Sequence, residues 1–367
     1  MARFRLPKNV QELADWYMRY VSPLSLIAGF ISDNLFLTRR VDLFLTNAVF
    51  FTYLIVAAVC VVVFNLIEAG RLRHPWALKA LPLLPVVAQF AFGGLFSGYL
   101  SLYSRSAAVS VSWIFVIALA ALLLGNERFA HFYARFSFQV SLYFTVLFSF
   151  LIFFLPVVAH RIGPWMFIVS GLVSLCVIAL FLLLLSKLVP EIVRANRTTA
   201  ARAIAVIFLA FNVLYFTGAI PPLPLALKDA GVYHGVTRAA DGSYALTGEP
   251  LPWYESFFRY NVVYHATAGE SAYAYSAVFA PSGLSIVILH QWQRYDTTLK
   301  QWVTTDTISF PINGGRDGGY RGYSVKSGIT PGSWRVNVVT QYGQLIGRIS
   351  FEVVAASTTP ALETVDT

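Results

Sequence analysis

Seven apolar stretches, each about 16 to 25 residues long, crowd the first 220 positions of this 367-residue chain. They run Pro23–Thr38, Asp42–Leu66, Ala80–Tyr103, Ala107–Leu124, Phe136–Ala159, Pro164–Val189 and Arg202–Ala219, and the charges sit in the short connections. A helix of that length crosses the hydrocarbon core, and helices satisfy their own backbone hydrogen bonds there. Composition agrees: 12% of residues are charged, about half the share found in a soluble domain. The expected fold class is an α-helical membrane bundle of about seven transmembrane helices, with the lipid bilayer as first partner. The first stretch is the shortest and contains Asp33 and Asn34, so spanning and re-entrant placements both fit it.

The net charge is +9 and unevenly spread. Up to Arg202 there are 17 Lys/Arg against 7 Asp/Glu, and from Ala203 onward 10 against 11. The basic half is also the hydrophobic half, so the charge reads as a topology signal and not as a nucleic-acid patch. Counted by side, 13 Lys/Arg fall on the N-terminal side of the spans and 4 on the other. That bias predicts a cytoplasmic N-terminus and a C-terminal region outside. Residues 1–22 lack a cleavage site and predict an amphipathic cytoplasmic segment, with Trp16, Tyr17 and Tyr20 at the interface.

The transmembrane region spans residues 23–219. Residues 220–229 form a proline-rich exit linker, Ile220-Pro-Pro-Leu-Pro-Leu225, stiffened towards polyproline II. Over residues 230–355 the apolar period becomes two, as in Tyr273, Tyr275, Ala277 and Phe279 or in Ile286–Trp292, with turn signals at Pro281-Ser-Gly283 and Pro331-Gly332. Short strands without intervening helices predict an immunoglobulin-like β-sandwich of seven or eight strands. The two cysteines, Cys60 and Cys176, lie in the helical region, so no disulfide staples this domain. Residues 356–367, threonine-rich and acidic, predict a disordered tail.

No catalytic residue, metal site or cofactor is indicated. The six histidines have no His, Cys or carboxylate at a metal-ligand spacing, and the nucleophile-elbow, P-loop and dinucleotide motifs are absent. Asp33 is the one clearly intramembrane carboxylate, a functional candidate by default, with Asn65, Gln89 and Gln139 as polar companions. In the β domain, His290 and Trp292 share one face of a strand. The loop from Asn313 to Tyr323 carries five glycines with Arg316, Asp317 and Arg321. Glycines free backbone amides and arginines offer planar forks, which suits an anion, a carboxylate or a close-approaching partner. Arg335 alternates with Trp334, which places it outward and Trp334 in the core.

The residues His290-x-Trp292, Gly-Gly-Arg316, Tyr323-Ser-x-Lys326, Pro331-Gly-x-Trp-Arg-Val336 and Gly347-x-Ile-x-Phe351 resemble the bacterial domain-of-unknown-function family numbered 2914. The exit segment with Lys228 and Tyr233-His234 is similar to the junction in that family. The resemblance implies a multi-helix membrane region joined to this domain in a bacterial inner membrane, and it implies no activity.

The functional expectation is a non-catalytic accessory protein whose periplasmic domain binds or helps assemble an envelope partner: a protein complex, a glycan or a lipid-linked ligand. A small-solute or ion transporter would need a polar path around Asp33. An envelope enzyme would need a cleft in which His290, Arg316 and Arg321 converge.

Overall fold

The computed structural model describes residues 42–75, 81–106, 109–125, 135–240, 242–250, 262–358 and 360–367, together with Glu12, Lys79 and Phe132. Asp33 and the first apolar stretch lie outside the described residues. The chain divides into a helical unit ending at Ile220 and a β unit from Pro221 to Thr367.

Six helices are described: α1 (Phe44–Glu68), α2 (Leu84–Ser106), α3 (Val109–Gly125), α4 (Phe136–Ala159), α5 (Pro164–Leu188) and α6 (Pro190–Phe216). Five are long and apolar enough to cross a membrane, α2 together with the 3-10 turn that precedes it; the apolar part of α3, Trp113–Gly125, is shorter. α4 is the most buried of the five. Its Phe148 packs against Phe167 of α5 and stacks on Phe208 and Phe211 of α6 at 5.7 and 4.7 Å.

The last helix differs from expectation. Residues 190–201 were read as a connection, but α6 begins at Pro190 and only Val189 separates it from α5. Pro190 has no N–H to continue α5, and its fixed φ suits the first position of a new helix. Val189 is accordingly non-helical, at φ −142° and ψ 63°. The two helices then run antiparallel, since Phe167 near the start of α5 stacks on Tyr215 near the end of α6 at 3.8 Å. Arg194, Arg197 and Arg202 therefore ride on the first turns of a helix. The hydropathy pattern missed those turns because they are polar.

Gly94 and Gly98 of α2 are filled from within the bundle. A Cβ at Gly98 would come within 2.3 Å of the Phe50 ring, and one at Gly94 within 2.6 Å of the Tyr53 ring. Phe50 also meets Tyr99, Phe150 and Phe153. Small residues thus let aromatic side chains of α1 approach the α2 backbone. Asn65 of α1 donates to the side-chain oxygen of Gln139 of α4 at 2.6 Å, which joins two of the polar groups singled out in the sequence.

Among the described residues the β unit has eleven strands: β1 (Ala226–Tyr233), β2 (Gly235–Arg238), β3 (Tyr244–Gly248), β4 (Val262–Ala266), β5 (Ala272–Phe279), β6 (Ser285–Asp296), β7 (Gln301–Asn313), β8 (Tyr320–Lys326), β9 (Gly332–Thr340), β10 (Leu345–Ala355) and β11 (Glu363–Asp366). They form three sheets, ordered β1-β5-β8, β4-β10-β9-β6-β7 and β11-β3-β2. All described pairings are antiparallel except β4 with β10. The first strand starts at Ala226, within the stretch read as linker.

The middle sheet separates two cores. On one side Ala272 and Ala274 of β5 pack with Trp292, Trp334, Val336, Phe351 and Val353 of the five-stranded sheet. On the other, Tyr275 and Ala277 pack with Val236, Tyr244 and Leu246 of the small sheet. β5 is apolar on both faces, so one covering sheet cannot bury it, and the third sheet follows. Trp334 is buried in the larger core. Residues 356–367 are not wholly without structure, since Glu363–Asp366 pair with β3 as an edge strand.

Candidate functional site

The six side chains expected to line one binding surface lie in three places. His290 and Trp292 do share a face, but it is the inner one. Ile286 and Ile288 point the same way on β6, and all four are buried while their neighbours are more exposed. Both are removed from the surface, which corrects their expected role. His290 lies within 2.8 Å of the hydroxyls of Ser276 and Ser324, one at each ring nitrogen, and Trp292 donates to Ser324 at 3.0 Å. Burial holds the His290 ring neutral, with its pKa pushed down to about 3.

Arg316 and Asp317 are exposed on the β7–β8 loop, and the Arg316 guanidinium lies 5.4 Å over the Tyr320 ring. Arg321 follows on β8, where its carbonyl accepts a hydrogen bond from the Tyr244 hydroxyl. Arg335 lies on the outer face of the five-stranded sheet, stacked 4.3 Å over Trp302, and donates to Gln293 at 2.7 Å. Burial, and then the nearby Arg348 charge, lower its pKa to about 10. His290 is buried in the core, whereas Arg316 is exposed on its loop.

A different cluster is assembled instead. His234, between β1 and β2, directs Nδ1 at Glu270 Oε1 at 2.5 Å and Nε2 at Glu249 Oε1 at 3.1 Å. Its side chain is 4% exposed, and its ring stacks on Tyr264 at 4.2 Å. Glu249, just past β3, also accepts from the His265 backbone N–H at 2.7 Å and faces His265 Nδ1 at 2.6 Å. Glu270, in the β4–β5 turn, accepts from the backbone N–H and hydroxyl of Thr267 at 2.9 and 2.7 Å. Burial raises both carboxyl pKa values. Hydrogen bonds from His265 and His234 at Glu249, and from His234 and Thr267 at Glu270, outweigh it and hold both below the ordinary carboxylate range.

His234, Glu249 and Tyr264 line a cleft of about 250 Å³, together with Asp229, Tyr233, Val262 and Glu363 among others. The histidines and carboxylates contact one another directly, and among the described residues no group of three or more His, Cys, Asp or Glu is arranged to hold a metal ion. The sequence reading missed the cluster because its members come from four separate segments at no recognisable spacing. His234 entered that reading only through the junction resemblance.

No curated protein matches the sequence. Among solved structures, Pseudomonas fluorescens alkylpurine DNA glycosylase AlkC bound to DNA containing an abasic site analog aligns at 14% identity over 77% of this chain and 82% of that one. Its TM-score of 0.23 is too low for a shared fold. Residues 286–353, from β6 into β10, match the family model described as "Protein of unknown function (DUF2914)", so the C-terminal domain of this chain carries a DUF2914 segment.

Proposed function

We propose that this protein is a non-catalytic accessory protein of the bacterial inner membrane. On this reading the N-terminus is cytoplasmic, Pro23–Thr38 supplies a further span towards a total of seven, and the β domain lies in the periplasm. The sheets β1-β5-β8 and β4-β10-β9-β6-β7 serve as an immunoglobulin-like sandwich that binds or helps assemble an envelope partner. The 13-to-4 distribution of Lys/Arg supports the sidedness.

The observation that carries the binding role is the cleft of about 250 Å³ beside His234. Both ring nitrogens of His234 are engaged by carboxylates, and Glu249 and Glu270 each accept from more than one donor. Of these groups His234 and Glu249 line the cleft, beside the apolar side chains of Val232, Val262 and Ile349. Such a surface favours recognition.

The test uses the full chain, crosslinked in intact cells and extracted in mild detergent. Val263 lies at the cleft and is 42% exposed. We expect Val263→Arg to melt like the wild type and to lose its co-purifying envelope partner by about tenfold or more. Undiminished recovery would overturn the cleft as the binding surface. A C-terminal phosphatase fusion that is inactive, with a fluorescent fusion there that is bright, would overturn the sidedness.

A further inference from the structure

Alternation along β9 sends Trp334, Val336 and Val338 into the core and leaves Arg335 and Asn337 on the opposite face of the five-stranded sheet. The strand register carries that face across four strands. Thr304, Gln293, Arg335 and Ser350 stand beside one another in one row, and Thr307, Gln291, Asn337 and Arg348 in the next. Both rows are polar, and they contain two arginines and no carboxylate.

A chain of side-chain hydrogen bonds ties the rows together. Arg348 Nε donates to Asn337 Oδ1 at 2.7 Å, Asn337 Nδ2 to Gln293 Oε1 at 3.1 Å, and Gln293 Nε2 to Thr304 Oγ1 at 2.9 Å. Arg335 Nε donates to the same Gln293 oxygen at 2.7 Å, and its guanidinium lies 4.3 Å over Trp302, whose ring meets Tyr295 at 5.4 Å. Arg335 is thus held through Nε and the indole, while the forked end of its guanidinium stays uncommitted. Among the described residues no carboxylate pairs with it.

We propose that this face binds an acidic saccharide, with a sugar carboxylate on the forked end of Arg335 and sugar hydroxyls on the amides and hydroxyls of the two rows. A guanidinium fork meets a carboxylate in two parallel hydrogen bonds. Burial and the neighbouring Arg348 both work against the charge on Arg335, and a bound anion offsets that cost. The amide ladder sets the geometry before the ligand arrives, which lowers the entropy lost on binding. A saccharide fits this face better than an acidic peptide does. An extended peptide docks on a sheet edge through backbone hydrogen bonds. β6 and β9 are interior strands, paired on both sides, so recognition here runs through side chains. No residue of the two rows lines the His234 cleft, so this site goes beyond the proposed function and is tested apart from it.

The test is a calorimetric titration of the full-length protein in detergent micelles with oligogalacturonate, beside the same oligomer methyl-esterified. The acid form is expected to bind, and the ester about tenfold more weakly or worse, because esterification removes the charge that the fork recognises. Arg335→Ala is expected to lose about tenfold or more in affinity for the acid form. Should that variant melt early, Arg335→Lys keeps a positive charge but not the fork, and the same loss is expected. No binding of the acid oligomer, equal binding of acid and ester, or wild-type affinity in a folded variant would overturn the proposal. A polyglutamate peptide that binds as tightly as the oligomer would overturn the saccharide and make an acidic peptide the occupant.

Discussion

Ser324 is bound to His290 across the core of the β domain, its Oγ 2.8 Å from the ring Nδ1, and the same oxygen accepts the Trp292 indole N–H. One hydroxyl on β8 thus serves two buried rings on β6. Removing it strands both nitrogens where water does not reach, at a cost of about 1–3 kcal/mol for each. Ser324→Ala is expected to lower stability by about 2–5 kcal/mol, read in a denaturant titration.

The same histidine makes the domain acid-sensitive. The folded state keeps His290 neutral down to about pH 3, whereas the unfolded chain takes up a proton near its ordinary value of 6.5. Between those values the unfolded state binds more protons, so stability falls as pH falls through that window. The loss is on the order of 5 kcal/mol if fully expressed. Glu249 and Glu270, held below the ordinary carboxylate range, add a further loss at lower pH. His290→Asn is expected to be less stable at neutral pH and to lose the pH dependence between about pH 4 and 6. An unchanged pH dependence in a melting series would count against the neutral buried ring.

Two glycines of the β7–β8 loop are not equivalent. A Cβ at Gly314 would lie 1.8 Å from the Pro281 carbonyl oxygen, a backbone atom that cannot swing away, while a Cβ at Gly318 meets only the end of the Arg321 side chain at 3.8 Å. Gly314→Ala is expected to cost about 3 kcal/mol or more, and Gly318→Ala under about 1. Thermal melts of the two variants side by side check this. Equal melting would mean that the loop does not pack against Pro281.

In the helical unit the Phe50 ring occupies the space a side chain at Gly98 would need. Gly98→Ala is expected to reduce thermal stability in detergent, and Phe50→Ala to reduce it through a cavity of about 3–5 kcal/mol. The double variant is expected to be less impaired than the sum of the two, because each change relieves the other. Strict additivity would place the two residues apart.

Arg316 lies over Tyr320 on an exposed loop. Arg316→Ala is expected to change stability by no more than about 1 kcal/mol, measured by the same melts. A larger loss would mean that the loop depends on this stacking pair.

The sequence alone determined the two-part organisation of the chain. Long apolar runs can only be satisfied as helices in lipid, and a period of two after the proline exit marks strands. Both are local patterns, legible without knowing any contact. The inward position of Trp334 was legible for the same reason. Alternation also grouped His290 with Trp292 correctly, but it assigns residues to a common face and not that face to the core or to water. The buried isoleucines two and four residues before His290 carried that information. What only the tertiary structure decided was everything that depends on which segments meet. β5 needed a third sheet because both of its faces are apolar. Pro190 turned α6 back at once because nothing forced a loop there. The His234 cluster exists because the β1–β2 corner, the end of β3, β4 and the β4–β5 turn converge. Hydrogen bonds between side chains act over about 3 Å in space, whereas the residues that form this cluster lie up to 36 positions apart in the chain, and no spacing rule links the two.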